Sequence, residues 1–346
     1  MTIKRLEELM NQFSKIKIAV IGDLFLDKWI HIDREKDELS VETGLVAYQV
    51  VSKRPEAGAA GTVLNNLSVL GVGTLYAVSL VGDDGEGYEV LQALEKRGID
   101  IGYVIKSGQV ITPTYEKPLF FGKGQQGEEG NRIDYKNTKT TPRLLVERII
   151  NNLREVAGKV DAVMVLDQLA EENTGVVTKE VRDALSRLGS EFPELLIFAD
   201  SRSFIQDFRN VILKCNDKEA TTVVTGKRIE AFDMTLLCNC MDTFSKQTNS
   251  KVFITCGEHG ILVKDDDGYS LIPPVNQSGK INVCGAGDAC SSGIVTALCA
   301  NASDVEAAAL GNLTAGVTVR KIGTTGTVNQ KEVLAIFNET NPERES

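Results

Sequence analysis

The run Ile281 to Gly293, INVCGAGDACSSG, concentrates the residues best suited to chemistry. Gly285, Ala286, Gly287 and Asp288 open an apolar stretch that reads as a helix from Ala286 to Ala300. Glycines at a helix start let backbone amides converge on an anion, and the helix dipole adds positive potential there. An aspartate in the first turn either caps the helix or acts on whatever the amides hold. The spacing is not the dinucleotide pattern G-x-G-x-x-G, because Cys290 stands at the third glycine. Nor is it the phosphate loop G-x-x-x-x-G-K-[ST]. Phosphoryl transfer fits: amides hold the migrating group, and a carboxylate orients and deprotonates the attacking hydroxyl.

Such a turn must be carried by a rigid frame, and the chain reads as one. Apolar, β-branched runs predict strands at Lys17–Ile21, Thr74–Leu80, Ile101–Ile105, Ala162–Leu166, Leu195–Ala199, Lys251–Thr255 and Ile261–Val263. Between them, helical periodicity marks Thr62–Leu70, Glu86–Arg97, Pro142–Val156, Thr178–Leu188 and Asp304–Arg320. This alternation implies βαβ units and a mostly parallel sheet covered on both faces. Trp29 to Ser52 and Thr112 to Tyr135 break the pattern and read as antiparallel strands projecting from the main sheet. An exposed small sheet of this kind often buries its face against a second subunit.

The composition agrees with one large α/β domain. Of 346 residues, 42% are hydrophobic and 25% charged, ordinary values for a globular chain. With 38 basic and 48 acidic side chains the net charge is −10, which disfavours nucleic acid as the main ligand. No apolar run reaches the roughly 18 residues of a membrane span. The first residues, MTIKRLEELMNQ, form a polar, helix-like lead without a signal-peptide core. A cytoplasmic location without membrane contact is expected. The seven cysteines lack zinc-finger spacing and read as free thiols, and two histidines, His31 and His259, are too few for a histidine-rich metal site.

Three further pieces are spread along the chain. Asn216-Asp217-Lys218-Glu219 could be a capped helix start or an oxygen-ligand element. Thr255-Cys256-Gly257-Glu258-His259-Gly260 could be a hairpin turn or a ligand-facing one. Ile21-Gly22-Asp23 with Asp27 puts carboxylates at the end of a strand, where they can take sugar hydroxyls or simply be solvated.

Taken in order, these pieces resemble the PfkB-type, ribokinase-like sugar kinases, from about Lys17 to Val328. That family carries D-T-x-G-A-G-D near its C-terminus, matched by Asn282-Val283-Cys284-Gly285-Ala286-Gly287-Asp288. The resemblance implies that Asp288 is the catalytic base and that Gly285, Ala286 and Gly287 build its anion hole. It implies that Asn216 and Glu219 (N-x-x-E) organise Mg²⁺ through water and the nucleotide phosphates. It places Thr255, Gly257 and Gly260 (T-x-G-x-x-G) and Asn312 beside the adenine of ATP. It places Asp23 and Asp27 (G-D-x-x-x-D), with Gly58, Thr62 and Arg54, at the sugar. The implied fold is a three-layer α/β/α domain over residues 1–340 with a mostly parallel sheet. Lid segments at about 28–57 and 110–135 would mediate a homodimer, and residues 341–346 would form a tail.

Within the family, VIGDLFLDKW, RPEAGAAGTVLNNLSVLG and GNLTAGVTVRKIGTTGTV are most similar to the heptose-phosphate kinases. That likeness implies phosphorylation of the anomeric hydroxyl of a heptose 7-phosphate. Lys28, Arg54, Lys117 and Arg132 are candidates for the existing phosphate. The sequence departs from the family at several positions. Thr62 stands in place of a sugar-binding asparagine, Ala57 at or near the first glycine of G-G-A-x-N, and Cys284 in place of a threonine. Asn282 replaces an aspartate near the monovalent-cation site of many relatives, so cation dependence stays open. Asp167–Gly175 lacks a D-Y-x-K-G pattern, and no H-x-G-H occurs, so adenylyl transfer is not expected. Alternatives are a related kinase for fructose, ribose, another sugar phosphate or a nucleoside, and a non-catalytic sensor on the same scaffold. A nicotinamide dehydrogenase is disfavoured, since Gly71-x-Gly73 precedes a strand instead of following one.

Overall fold

The computed structural model describes residues 1–275, 280–321 and 326–340. The expected tail, 341–346, and part of the Gly311–Val328 stretch fall outside them. The chain runs α1 (Ile3–Met10), β1 (Lys17–Gly22), β2 (Leu24–Asp33), β3 (Glu38–Leu39), β4 (Val46–Ala47), β5 (Val50–Ala59) and α2 (Ala60–Leu70). It continues β6 (Thr74–Gly82), α3 (Gly85–Glu95), β7 (Asp100–Ser107), β8 (Thr114–Gly122), β9 (Gln125–Glu129), β10 (Ile133–Tyr135) and α4 (Arg143–Ala157). Next come β11 (Ala162–Asp167), α5 (Lys179–Glu191), β12 (Leu196–Ser201), β13 (Ile212–Asn216), α6 (Asp217–Thr225) and α7 (Met234–Thr248). The last described elements are β14 (Val252–Thr255), β15 (Ile261–Asp265), β16 (Gly268–Ile272), α8 (Ala286–Cys299), α9 (Asp304–Val319) and α10 (Gln330–Thr340).

Nine of the described strands form one sheet in the order β16-β15-β14-β13-β12-β11-β1-β6-β7. From β14 to β7 neighbours pair parallel, and β15 and β16 add an antiparallel edge. Helices cover both faces. One apolar layer joins the sheet to α1, α2, α3, α8, α9 and α10, and the other joins it to α4, α5 and α7. The central strands are therefore buried on both sides, which is why β11 reads AVMVLD without alternation. Helices α8 and α9 pack closely because Gly293 and Gly311 face the opposite helix. A Cβ at Gly311 would lie 2.8 Å from Ile294 Cγ1, and one at Gly293 2.6 Å from Thr314 Oγ1.

A second sheet, β10-β8-β2-β5 with β9 on β8, rises from the end of β1. It takes in most of both segments expected to project, with two differences: β3 and β4 pair with each other in a separate two-stranded sheet, and one strand pairing is not antiparallel. β2 pairs antiparallel with β5 but parallel with β8. The long route between β2 and β8, through β6 and β7, lets both run the same way, where a hairpin would reverse them. Strands β13 and β16 and helices α7 and α10 lie outside the elements expected from sequence.

Candidate active site

Gly285, at φ 76°, turns the chain into α8 from the left-handed region that glycine tolerates. The first intrahelical bond runs from Ala289 N–H to Gly285 O (3.0 Å). The amides before it need other partners. Ala286 N–H donates to Val283 O (3.2 Å), so that amide is committed to the turn. Among the described residues the amides of Gly287 and Asp288 have no acceptor outside the helix, so they are available to an anion. Asn282 serves the same turn: its Oδ1 accepts from Cys284 N–H (3.0 Å) and its own N–H donates to Val319 O (2.8 Å).

Asp288 stands in the first turn of α8. Burial pushes its carboxyl up to about 7, the charge of Asp200 adds to this, and Lys214 and Arg202 oppose it. Asp200, near the C-terminal end of β12, accepts from Lys214 Nζ (2.8 Å) and Ser291 Oγ (3.1 Å), all three side chains being buried. This pair ties β12 and β13 to α8 immediately behind the Gly285–Asp288 turn. Burial of Lys214 disfavours its charge, and Asp200, Cys290 and Glu219 together more than offset that.

Asn216 ends β13 and caps α6. Its Oδ1 accepts from Glu219 N–H (2.8 Å), while Glu219 Oε2 accepts from Asn216 N–H (2.8 Å), a reciprocal capping box. Burial raises the Glu219 carboxyl, the Asn216 N–H opposes that, and Asp200 adds to it. Glu219 Oε1 is uncommitted among the described residues, and the Asn216 oxygen keeps a lone pair. These two oxygens suit a Mg²⁺ ion held through water, a hard cation that keeps several waters and leans on phosphates. Among the described residues no group of three His, Cys, Asp or Glu could form a closed metal cage.

Thr255, Gly257 and Gly260 border the edge hairpin. Gly257 and Gly260 both have positive φ, and a Cβ at Gly260 would collide with the Ile272 carbonyl. Asn312, on α9, donates from Nδ2 to Ile272 O and Pro273 O, both at 2.9 Å. The turn and Asn312 therefore converge on one strand end. His259 stacks on Phe232 with ring centroids 4.0 Å apart, holding the turn from the other side.

Asp23 links β1 to β2 and is 4% exposed. Its Oδ1 accepts from Val176 N–H (2.9 Å), and burial pushes its carboxyl up to about 7. Asp27 lies four residues along, on β2. It accepts from Lys117 Nζ (2.9 Å), and a Cβ at Gly58 would sit 2.6 Å from its Oδ2. Thr62 is buried in the first turn of α2.

Of the cations expected to meet a substrate phosphate, Lys28 is 5% exposed and enclosed by Glu89, Glu86 and Glu116 at 3.2, 3.7 and 3.8 Å. Arg132 is paired with Asp134 (2.6 Å). Arg54 and Lys117 both stand over the Trp29 ring, at 4.5 and 4.4 Å from its centroid. A separate hollow of about 590 Å³ among Pro55, Glu56, Asn65, Tyr88 and Arg97 holds none of the site residues expected from sequence.

Sequence reasoning missed Asp200, Lys214 and Ser291, and also the buried set Asp167, Arg182 and Ser201. Asp167 Oδ2 accepts from Ser201 Oγ (2.8 Å) and Arg182 Nη1 (3.2 Å). A signal was present for Asp200: FADS closes an apolar run with a charge that an ordinary core strand excludes.

Comparison with known proteins fits this geometry. Residues 15–331 match the model of the pfkB family carbohydrate kinases. The chain is 28% identical over 320 residues to the bifunctional protein HldE of Sulfurimonas denitrificans, covering 92% of this chain and 63% of that protein. It is 26% identical over 338 residues to the protein of the same name from Trichlorobacter lovleyi, covering 96% of this chain and 65% of that one. It thus spans less than two thirds of the length of these relatives. Arabidopsis thaliana ribokinase, solved with ribose and ATP, superposes at TM-score 0.65 with 17% identity, over 93% of this chain and 98% of that one. Escherichia coli phosphofructokinase-2, solved with substrates and products, gives TM-score 0.69 with 14% identity, over 94% and 100%. The frame of a ribokinase-like α/β fold and the family match together make this chain a member of the pfkB family of carbohydrate kinases, phosphotransferases that act on a sugar hydroxyl.

Proposed function

We propose that the chain transfers the γ-phosphoryl group of Mg·ATP to a sugar phosphate, with the anomeric hydroxyl of a heptose 7-phosphate as its acceptor. The observation that carries this reading is the turn before α8: two uncommitted amides and a half-buried carboxyl share one helical turn, backed by Asp200 and Lys214. Asp288 takes the proton of the acceptor hydroxyl. The sugar oxygen then bonds to the γ-phosphorus as the bond to the bridging oxygen breaks and ADP leaves. Amides of Gly287 and Asp288 stabilise charge on the transferring oxygens, with Gly285 and Ala286 shaping the turn. Asn216 and Glu219 would hold Mg²⁺ through water, and the ion would supply neutralisation of phosphate charge. The base of ATP rests between the Thr255–Gly260 turn and Asn312.

Asp23 and Asp27 hydrogen-bond sugar hydroxyls beside Gly58 and Thr62, under the small sheet. Arg54 and Lys117, stacked over Trp29, are the cations better placed for an existing phosphate, since Lys28 is already surrounded by three carboxylates. The small sheet acts as a lid that excludes water. Its outer arm presents Leu39, Val41, Leu45, Val46 and Tyr48 to solvent, and a second copy of the chain covers them.

The test is ADP release with Mg·ATP against sugars, sugar phosphates and nucleosides, heptose 7-phosphate first. Asp288→Asn is expected to lose about 10²–10⁴-fold in turnover, the worth of a general base. Turnover on fructose, ribose or a nucleoside instead would reassign the acceptor. Nucleotide and sugar binding without turnover on any compound would replace the kinase reading with a sensor.

A further inference from the structure

We infer that Arg202 is a further catalytic residue of this transfer, its guanidinium contacting the γ-phosphoryl oxygens between the first turns of α6 and α8. The inference rests on the kinase reading above and adds a residue to its site.

Placement comes from register. β12 and β13 pair parallel with Asp200 opposite Lys214. Arg202 directly follows the last residue of β12 and Asn216, the cap of α6, is the last residue of β13, so both lie at the C-terminal edge of the sheet beyond the Asp200–Lys214 pair. The Arg202 N–H donates to Asp167 O (3.1 Å), which carries the β11–β12 ladder past its last paired residues. On α8, Ser291 holds Asp200 (3.1 Å). Asp288 precedes Ser291 by three residues on the same helix face, about 4.5 Å toward the helix start. Arg202 and Asp288 are therefore displaced outward from one shared contact, Asp200. The charge of Arg202 reaches both sides of the gap, since it acts on the Asp288 and the Glu219 carboxyls alike.

Availability comes from partners. Lys214 is buried and committed to Asp200 (2.8 Å), and Lys218, on α6, is paired with Glu230 (2.9 Å). Arg202 is exposed, and its side chain makes no hydrogen bond or ion pair among the described residues. An arginine held at a strand end, whose charge acts on Asp288 and Glu219 yet which is bonded to neither, is free to meet an anion. The guanidinium keeps its charge and offers a planar fork of donors that matches phosphoryl oxygens. Arginines that meet a transferring phosphoryl group contribute large factors to turnover.

The experiment has two arms, using the full chain with Arg202→Ala and Arg202→Lys. Calorimetry first compares Mg·ADP with the Mg²⁺ complex of adenylyl imidodiphosphate, and this arm needs no acceptor. Arg202→Ala is expected to weaken the triphosphate analogue about tenfold or more while leaving Mg·ADP within about twofold, as loss of a charge-assisted contact to one phosphate predicts. Equal loss on both nucleotides, or on neither, overturns the inference whatever the acceptor is. The second arm reads turnover on the acceptor that the panel identifies. Arg202→Ala is expected to lower kcat about 10²–10³-fold, with KM for the acceptor within about threefold and an unchanged melting temperature. Arg202→Lys should recover part of that loss. Retention of kcat within about threefold overturns the role. Wild type that binds neither nucleotide removes the kinase reading and this inference with it, an outcome distinct from wild type that binds both while the variant behaves identically.

Discussion

Asp288 carries two linked expectations at the scale of the residue. Its carboxyl is raised to about 7 by burial and by Asp200, so kcat/KM should climb with pH and level off above about 7 as the base becomes ionised. The same shift has a cost. A carboxyl whose folded pKa exceeds its unfolded value favours the protonated fold, so stability is lost as pH rises from about 4 through 7. Asp288→Asn should therefore melt a few degrees above wild type at pH 8, about 2 °C or more, and should show no gain at pH 4. Thermal melts at both pH values check this, and an equal gain at both would refute it. The Lys28 ammonium illustrates a limit of reading residues singly. In sequence it is one more lysine near carboxylates, but the fold folds three glutamates from α3 and β8 around it. Nothing local in DKW announces that.

At the scale of the element, the capping box separates two roles of one motif. Gln at the third helical position still bonds back to the cap, so Glu219→Gln should leave α6 folded. It should nonetheless raise the Mg²⁺ concentration needed for half-maximal turnover. Asn216→Ala removes the cap as well and should cost about 1 kcal/mol in addition. A Mg²⁺ titration beside denaturant melts distinguishes them, and an unmoved titration for Glu219→Gln would exclude its metal role. Helix packing offers a second check. A Cβ at Gly311 would press on Ile294 and Cys290, so Gly311→Ala should destabilise by about 1–3 kcal/mol, read from urea unfolding. These elements also show what sequence makes legible. β1, β11 and α5 were readable because burial on two faces or one leaves a run or a 3.6-residue stripe. β13 was not, because Lys214 interrupts its five residues and is compensated only by Asp200 on the next strand. The G-A-G-D turn was legible because its glycines answer a local backbone demand. Arg202 was not, since its meaning arises from register between strands.

Over the whole molecule, the exposed apolar arm from Leu39 to Tyr48 is the feature that a single copy leaves unexplained. Covered by a second copy, it should yield a dimer in sedimentation equilibrium, and Val41→Asp with Leu45→Asp should give monomers that keep their melting temperature. A monomeric wild type at micromolar concentration would end that proposal. The sheet order has a consequence of another kind. β1 is central, with β6 on one side and β11 on the other, and Lys17 bonds Asp161 across 144 residues of chain. At synthesis rates of about 5–20 residues per second, several seconds separate the emergence of residue 82 from that of residue 162. During that interval β1, β6 and β7 can pair, but β1, the apolar strand at the end of that trio, keeps the edge that β11 will take open. Nascent chains stalled before residue 162 are thus the form of this protein most prone to pair with one another. Slowing translation within residues 83–161 should lower soluble yield, while the same slowing after residue 201, once β11 and β12 have closed that edge, should not.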